Sequence, residues 1–242
     1  MSVVDVLLEI KRLAKDNGLS DPYIVGGLPR DKILNRSYKV QDIDLTTGDE
    51  SVNKLAELTS NTFKTTPVKF PDGHYQLMIN NIKYDFSSNF NSPDVLYFLN
   101  KAGVSNPTPM QRELFSRDFT CNTLIIPMNL RKLLDPTGLA LEDIKKKILR
   151  TPLPPRITLR DDTKRVVRII YLAAKLGFTV EPAIISWVNN HHEKIAKEVT
   201  KGFSRRKLAA AARADFSKTV SLLNEMNLWN VIAIPNVIIE NK

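Results

Sequence analysis

The chain carries two aspartates separated by one residue, Asp42 and Asp44, in Gln41-Asp42-Ile43-Asp44-Leu45. A strand turns alternate side chains to opposite faces, so both carboxylates share one face and Ile43 and Leu45 share the other. In Ile82-Lys83-Tyr84-Asp85-Phe86, Lys83 and Asp85 alternate with apolar residues in the same way. If these two strands are neighbours, three carboxylates meet on one sheet face. Hard oxygen ligands at close range suit Mg²⁺, with Mn²⁺ as the alternative ion, and Mg²⁺ also takes phosphate oxygens. Such ions activate an attacking hydroxyl and stabilise a leaving pyrophosphate. An Asp-x-Asp alone also occurs on ordinary surface strands, so its meaning depends on its company.

That company begins with Val25-Gly26-Gly27-Leu28-Pro29-Arg30-Asp31. A strand ending in two glycines lets backbone N–H groups approach a phosphate closely. Arg30, one helical turn on, can pair with that phosphate. The plain alternative is a turn that only joins strand to helix. No Gly-Lys-Ser/Thr follows, so this is not a P-loop.

The elements that must position these residues read as a mixed beginning and a helical end. Apolar residues at Val3, Val6, Leu7, Ile10 and Leu13 have helical spacing. Tyr23–Val25, 42–46, 67–70, 75–79 and 82–86 read as strands, with turns at Pro71-Asp72-Gly73 and Asn80-Asn81. A polar helix is expected near 51–60. From 88 to 112 Asn, Ser and Pro are frequent, and a partly helical, mobile connection is expected, with Pro107-Thr108-Pro109 resisting regular structure. Beyond 136 the chain reads as helices. The strongest covers 162–176, with Val166, Val167, Ile169, Ile170, Ala173 and Leu176 on its apolar side. The expected class is α+β: residues 1–138 form a head with a small mixed sheet, and 139–242 form an all-α region.

Composition sets outer limits. The 242 residues suit one large domain or two small ones. Thirty-five Lys and Arg against 26 Asp and Glu give a net charge of +9, which favours an anionic partner such as nucleic acid. Cys121 is the single cysteine, which excludes an internal disulfide framework and fits a reducing compartment; it is expected to be buried. No apolar run is long enough for a membrane span. A soluble, cytoplasmic protein is expected.

Val-Gly-Gly-x-x-Arg-Asp followed by a short helix and Asp-Ile-Asp-Leu resembles the head of the class II CCA-adding enzymes and bacterial poly(A) polymerases, within the DNA polymerase beta nucleotidyltransferase superfamily. Ser116-Arg117-Asp118-Phe119-Thr120-Cys121-Asn122-Thr123-Leu124 is similar to that family's Arg-Arg-Asp-Phe-Thr-Ile-Asn-Ala-Leu segment. Leu134-Asp135-Pro136-Thr137-Gly138 resembles its Asp-Pro-x-Gly-Gly turn. Asp161-Asp162-Thr163-Lys164-Arg165-Val166-Val167-Arg168 resembles its Glu-Asp-x-x-Arg-x-x-Arg helix. The ordered set spans roughly residues 20–230. The resemblance implies a nucleotidyltransferase head followed by a helical neck and partial body. It implies Asp42 and Asp44 as the metal pair; Asp85, set on the same face by strand alternation if the two strands are neighbours, is expected as the third catalytic carboxylate. It also implies that Gly26, Gly27, Arg30, Arg117, Asp118, Asp162, Arg165 and Arg168 bind the nucleotide.

Asp162 and Arg165 also have a physical reading. Cytosine and adenine both present an amino donor beside a ring-nitrogen acceptor. A carboxylate accepts from the first and a guanidinium donates to the second. Uracil and guanine present the opposite order and leave buried groups mismatched. At i,i+3 on one helix the two residues can face one base together, though an ordinary surface ion pair has the same spacing. Arg205-Arg206-Lys207 is a basic cluster that can contact RNA phosphates or simply face water. The chain departs from the family at Ser116, Tyr171 and Pro29.

The resemblance implies two-metal-ion transfer from CTP or ATP to an RNA 3′ end with release of pyrophosphate, with tRNA as the expected RNA and CCA addition as the expected reaction. Poly(A) addition is the alternative, and a non-catalytic RNA-binding subunit that keeps the fold is the alternative of a different class. Family members continue well beyond the matched region. The expectation is therefore a catalytic head and nucleotide-reading neck, with a protein partner or second copy supplying the rest of the RNA-holding part.

Overall fold

A computed structural model of the chain describes residues 1–36, 40–71 and 73–232. Ser37–Lys39, which precede the aspartate strand, and Asp72 of the expected turn lie outside the described residues. The chain divides into two compact units. The first holds Met1–Arg117 and Cys121–Leu141, and the second holds Asp118–Thr120 and the chain from Glu142 onward.

The first unit is a sheet covered by helices. In chain order it contains α1 (Val3–Asp16), β1 (Tyr23–Val25), α2 (Gly27–Ile33), β2 (Asp42–Thr46), α3 (Ser51–Phe63), β3 (Val68–Lys69), β4 (Tyr75–Ile79), β5 (Ile82–Phe86), α4 (Pro93–Lys101), α5 (Pro109–Phe115) and β6 (Ile125–Pro127). The strand order is β3-β4-β5-β2-β1-β6. β2 and β5 run parallel at its centre, and the other pairs are antiparallel. Asn80 and Asn81 both take positive φ, 52° and 62°, the backbone a two-residue hairpin needs between β4 and β5.

Alternation sorts the faces. Ile43, Leu45, Leu77, Tyr84 and Phe86 are buried and pack with Leu7, Ile10, Leu55 and Ala56 from α1 and α3. Each such aliphatic side chain contributes about 1.5–3 kcal/mol on burial, so a one-residue slip of β2 would expose the core and bury its aspartates. On the opposite face Val25 and Ile125 are covered by Leu114 of α5. The segment expected to be a partly helical, mobile connection contains two helices, α4 and α5. Pro93 and Pro109 each sit in a first helical turn, and Thr108 and Gln111 form a capping box. Proline lacks only an N–H that has no intrahelical partner there, so it starts these helices rather than breaking them.

The second unit contains α6 (Ala140–Lys146, which begins in the first), β7 (Ile148–Leu149), α7 (Pro155–Asp161), α8 (Lys164–Leu176), β8 (Thr179–Val180), α9 (Pro182–Asn189), α10 (His192–Glu198), α11 (Lys201–Ala214) and α12 (Phe216–Glu225). α8 is its centre, with Val166, Val167, Ile169, Ile170 and Ala173 fully buried. The expectation of all helices there is corrected by β7 and β8, a short parallel pair. Among the described residues no helix is long and apolar enough to cross a membrane.

Candidate active site

The register between β2 and β5 builds the site. Asp42 is the Cα partner of Lys83, and Asp44 is the partner of Asp85. All four therefore stand on the face opposite the core. The three carboxylates share this face without converging: among the described residues no three His, Cys, Asp or Glu side chains form a group that could hold a metal ion. An ammonium stands in their midst. Lys83 Nζ lies 3.0 Å from Asp42 Oδ1 and 3.2 Å from Asp85 Oδ2. Gln76 Nε2 donates to Asp85 Oδ1 at 2.8 Å. Burial lowers the affinity of Lys83 for its proton, but the bonds and charges of Asp42 and Asp85 outweigh it and hold the lysine above its ordinary pKa. The donors are of the kind a divalent cation takes, hard carboxylate oxygens at neighbouring register positions, although the three are not gathered into one group here.

Gly26 closes the other side of Asp44. It ends β1 with φ 80° and ψ −130°, a combination that side chains rarely adopt. A Cβ at this position would lie 2.4 Å from Asp44 Oδ2. The glycine is thus required twice, by the backbone and by the carboxylate against it. Beside them opens a cavity of about 430 Å³, lined by Asp44, Asp49, His74, Asp85, Ser87 and Asn89 among others. Asp49 accepts from Ser20 Oγ at 2.5 Å, Thr47 Oγ1 at 2.9 Å and the Ser51 N–H at 3.0 Å. Burial raises its pKa, and these bonds more than reverse that and hold it below the ordinary value.

Arg30 points inward rather than to an open phosphate position. Its residue is 4% exposed. Nε and Nη2 both reach Asp31 Oδ1 at 2.8 Å, and Nη1 donates to Asn122 Oδ1 at 2.7 Å. The guanidinium braces the turn beneath Gly27, whose added Cβ would lie 3.3 Å from Nη2. Arg117 is similarly engaged, 2.9 Å from Glu113, which is fully buried and also accepts from the Asn89 N–H. Asn122 and Glu113 were not singled out from sequence. Asn122 lies inside the Asp-Phe-Thr-Cys-Asn segment, a signal that was present, whereas Glu113, just beyond the partly helical connection expected over 88–112, stands in no recognised motif.

In the second unit Asp118 accepts from Arg168 through Oδ2, with Nη2 at 2.5 Å and Nε at 2.8 Å. Thr120 donates to the buried Asp143 at 2.7 Å, and Arg150 reaches the other Asp143 oxygen at 2.6 Å. These contacts explain why Asp118–Thr120 belongs to this unit. Asp162 and Arg165 do lie together, Nε to Oδ2 at 3.8 Å, but not on one helix. Asp162 is extended, φ −146° and ψ 95°, between α7 and α8. Its Oδ1 accepts from the Lys164 N–H at 3.0 Å, a local bond that competes with helix continuation. Arg165 is largely buried and donates to the Thr158 carbonyl at 3.1 Å. Burial pulls its pKa down, opposed by Asp118 and Asp162, yet an arginine stays charged. Arg205 and Arg206 are exposed, while Lys207 is half-buried with Nζ 4.9 Å from the Tyr171 ring centre. Cys121 is fully buried.

Residues 22–150 match the poly A polymerase head domain. The chain is 25% identical over 200 residues to tRNA nucleotidyltransferase cca2 of Schizosaccharomyces pombe, covering 76% of this chain and 41% of that one. It is 27% identical over 179 residues to the CCA-adding enzyme of Bacillus subtilis, covering 73% and 41%. A solved tRNA-processing enzyme with CTP superposes with a TM-score of 0.70 at 25% identity, covering 92% of this chain and 57% of that one. The chain thus spans about two-fifths of the length of these curated relatives. With the head match extending over more than half of its residues, the chain belongs to the poly A polymerase head domain family.

Proposed function

We propose that this chain transfers nucleoside monophosphates from CTP and ATP to the 3′ end of RNA, and that the RNA is tRNA receiving its CCA end. The observation that carries the reading is the β2–β5 register, which sets Asp42, Asp44 and Asp85 on one open face beside the Gly26 turn. Nucleotidyltransferases of this family need divalent metals; Mg²⁺ is the ion we assign, with Mn²⁺ as a substitute. Asp42, Asp44 and Asp85 would hold it, and it would supply activation of the attacking hydroxyl and charge stabilisation on the leaving pyrophosphate. A cavity lined by Asp44, Asp49, Glu50 and Asp85 repels a bare triphosphate, which is the physical reason a cation belongs there.

The chain's own residues do the positioning. Gly26 and Gly27 let the backbone come close to phosphate oxygens. Arg30 holds that turn in place through Asp31 and Asn122, and Glu113 holds Arg117. In the second unit Asp162 accepts from the base amino group and Arg165 donates to the ring nitrogen, which favours cytosine and adenine. Asp118 and Arg168 form the ion pair beside them. Arg205, Arg206 and Lys207 add positive charge for RNA phosphates. The names of the relatives favour CCA addition over poly(A) addition. The single cysteine is in keeping with a cytoplasmic setting.

Incubation with Mg²⁺, each labelled triphosphate in turn, and tRNA lacking its 3′ end tests the proposal. C and A incorporation that stops after the CCA end is expected. Long A tracts from ATP alone would assign poly(A) addition, and no incorporation from any triphosphate would overturn the transferase reading.

A further inference from the structure

Lys83 occupies a position in the carboxylate face that the transfer chemistry above does not use. Its Nζ is within 3.2 Å of oxygens from two different strands, Asp42 on β2 and Asp85 on β5. The register brings these groups to one face: Lys83 is the direct partner of Asp42 and lies two residues, one full alternation, from Asp85. Its side chain is 30% exposed, against 63% for Asp42 and 19% for Asp85, so the ammonium sits partly out of water. Gln76 ties the second Asp85 oxygen, which leaves the lysine facing the first. Like charges on one sheet face repel, and a positive side chain threaded between them offsets that repulsion.

We propose that Lys83 is an internal counter-cation of the metal site. Its ammonium holds Asp42 and Asp85 in place before a divalent ion enters and has to release at least one of them when it does. The inference rests on the reading of Asp42, Asp44 and Asp85 as metal ligands. The ammonium occupies lone pairs of Asp42 and Asp85 and repels a second positive charge brought against them, so the lysine weakens binding of a free ion. An ion that arrives on a triphosphate brings extra oxygen ligands and negative charge, and the lysine opposes it less. The site therefore favours the metal–nucleotide complex over the bare metal.

Titration of the whole chain with Mn²⁺, followed by the electron paramagnetic resonance of the free ion, tests this. Replacing the ammonium with an uncharged side chain of similar length, Lys83→Met, is expected to tighten Mn²⁺ binding about tenfold. Lys69→Met, at an exposed lysine on β3 that touches none of these carboxylates, should leave binding unchanged. Asp44→Ala should abolish saturable binding in both backgrounds. Equal Mn²⁺ affinity in wild type and Lys83→Met, with binding still lost in Asp44→Ala, overturns the lysine's role and leaves the metal site standing. No saturable binding in either protein overturns the metal reading itself, and this inference with it. If Lys83→Met does not fold, amine labelling of the wild type read by mass spectrometry replaces it. Mn²⁺ should then increase modification of Lys83, and unchanged or reduced modification overturns the proposal.

Discussion

Gly26→Ala should disable the site without removing a charged group. The added Cβ would stand 2.4 Å from Asp44 Oδ2, whereas ordinary contact begins near 3.4 Å, so the carboxylate must retreat by about 1 Å. A misplacement of that size costs about a hundredfold in rate, or about 2.7 kcal/mol of barrier. The backbone adds its own strain at φ 80° and ψ −130°, about 1–3 kcal/mol of stability. Gly18→Ala separates the two effects. Gly18 also has positive φ, 63°, but nothing lies within 4 Å of its added Cβ. It should lose about 1–2 kcal/mol of stability and keep its activity. The assay is single-turnover incorporation of labelled CTP or ATP into tRNA lacking its 3′ end, on variants whose folding is verified by thermal melts. A folded Gly26→Ala protein within threefold of the wild-type rate would refute the argument that this glycine sets the position of Asp44.

Two further outcomes are expected. Arg165→Ala removes the donor assigned to the base ring nitrogen, and discrimination against UTP and GTP should fall by about 1–3 kcal/mol, measured by four-way triphosphate competition; unchanged preference in both Arg165→Ala and Asp162→Ala would leave these residues a structural pair. Asp49 has a folded pKa below its ordinary value, so its contribution to stability is present above the unfolded pKa, about 3.9, and disappears as pH falls through the folded value. Urea midpoints at pH 7 and pH 3 should thus differ less in Asp49→Asn than in wild type, and an equal difference would contradict the assignment.

The parts of the site that follow a short period were legible in the sequence. Tyr23–Val25, Asp42–Thr46 and Ile82–Phe86 form the strands that alternation and the Gly-Gly stop indicated. Their pairing was only a condition, because alternation assigns faces and not partners or register. That is why Lys83, visible beside Asp85, gave no sign of meeting Asp42. Helix boundaries were harder. Apolar periodicity ran the long neck helix back to 162, but the Asp162 side chain captures the Lys164 N–H and breaks it. Pro109, expected to resist regular structure, begins a helix instead, as Pro93 does. Arg30 showed a charge but not a direction, since its partner Asn122 lies 92 residues away. Nor did local pattern reveal that Asp118–Thr120 joins the second unit, because Arg168, Asp143 and Arg150 hold it from far along the chain.

The central claim is that Asp42 and Asp44 act together on a divalent ion at the β2–β5 face to drive transfer. Its most direct test compares single-turnover incorporation into tRNA lacking its 3′ end by wild type, Asp42→Ala and Asp44→Ala at saturating Mg²⁺ and CTP. Metal binding and positioning are lost together in each variant, so transfer should fall on the order of a thousandfold or more while the melting temperature stays near that of wild type. A folded Asp44→Ala protein that turns over within tenfold of wild type would contradict it.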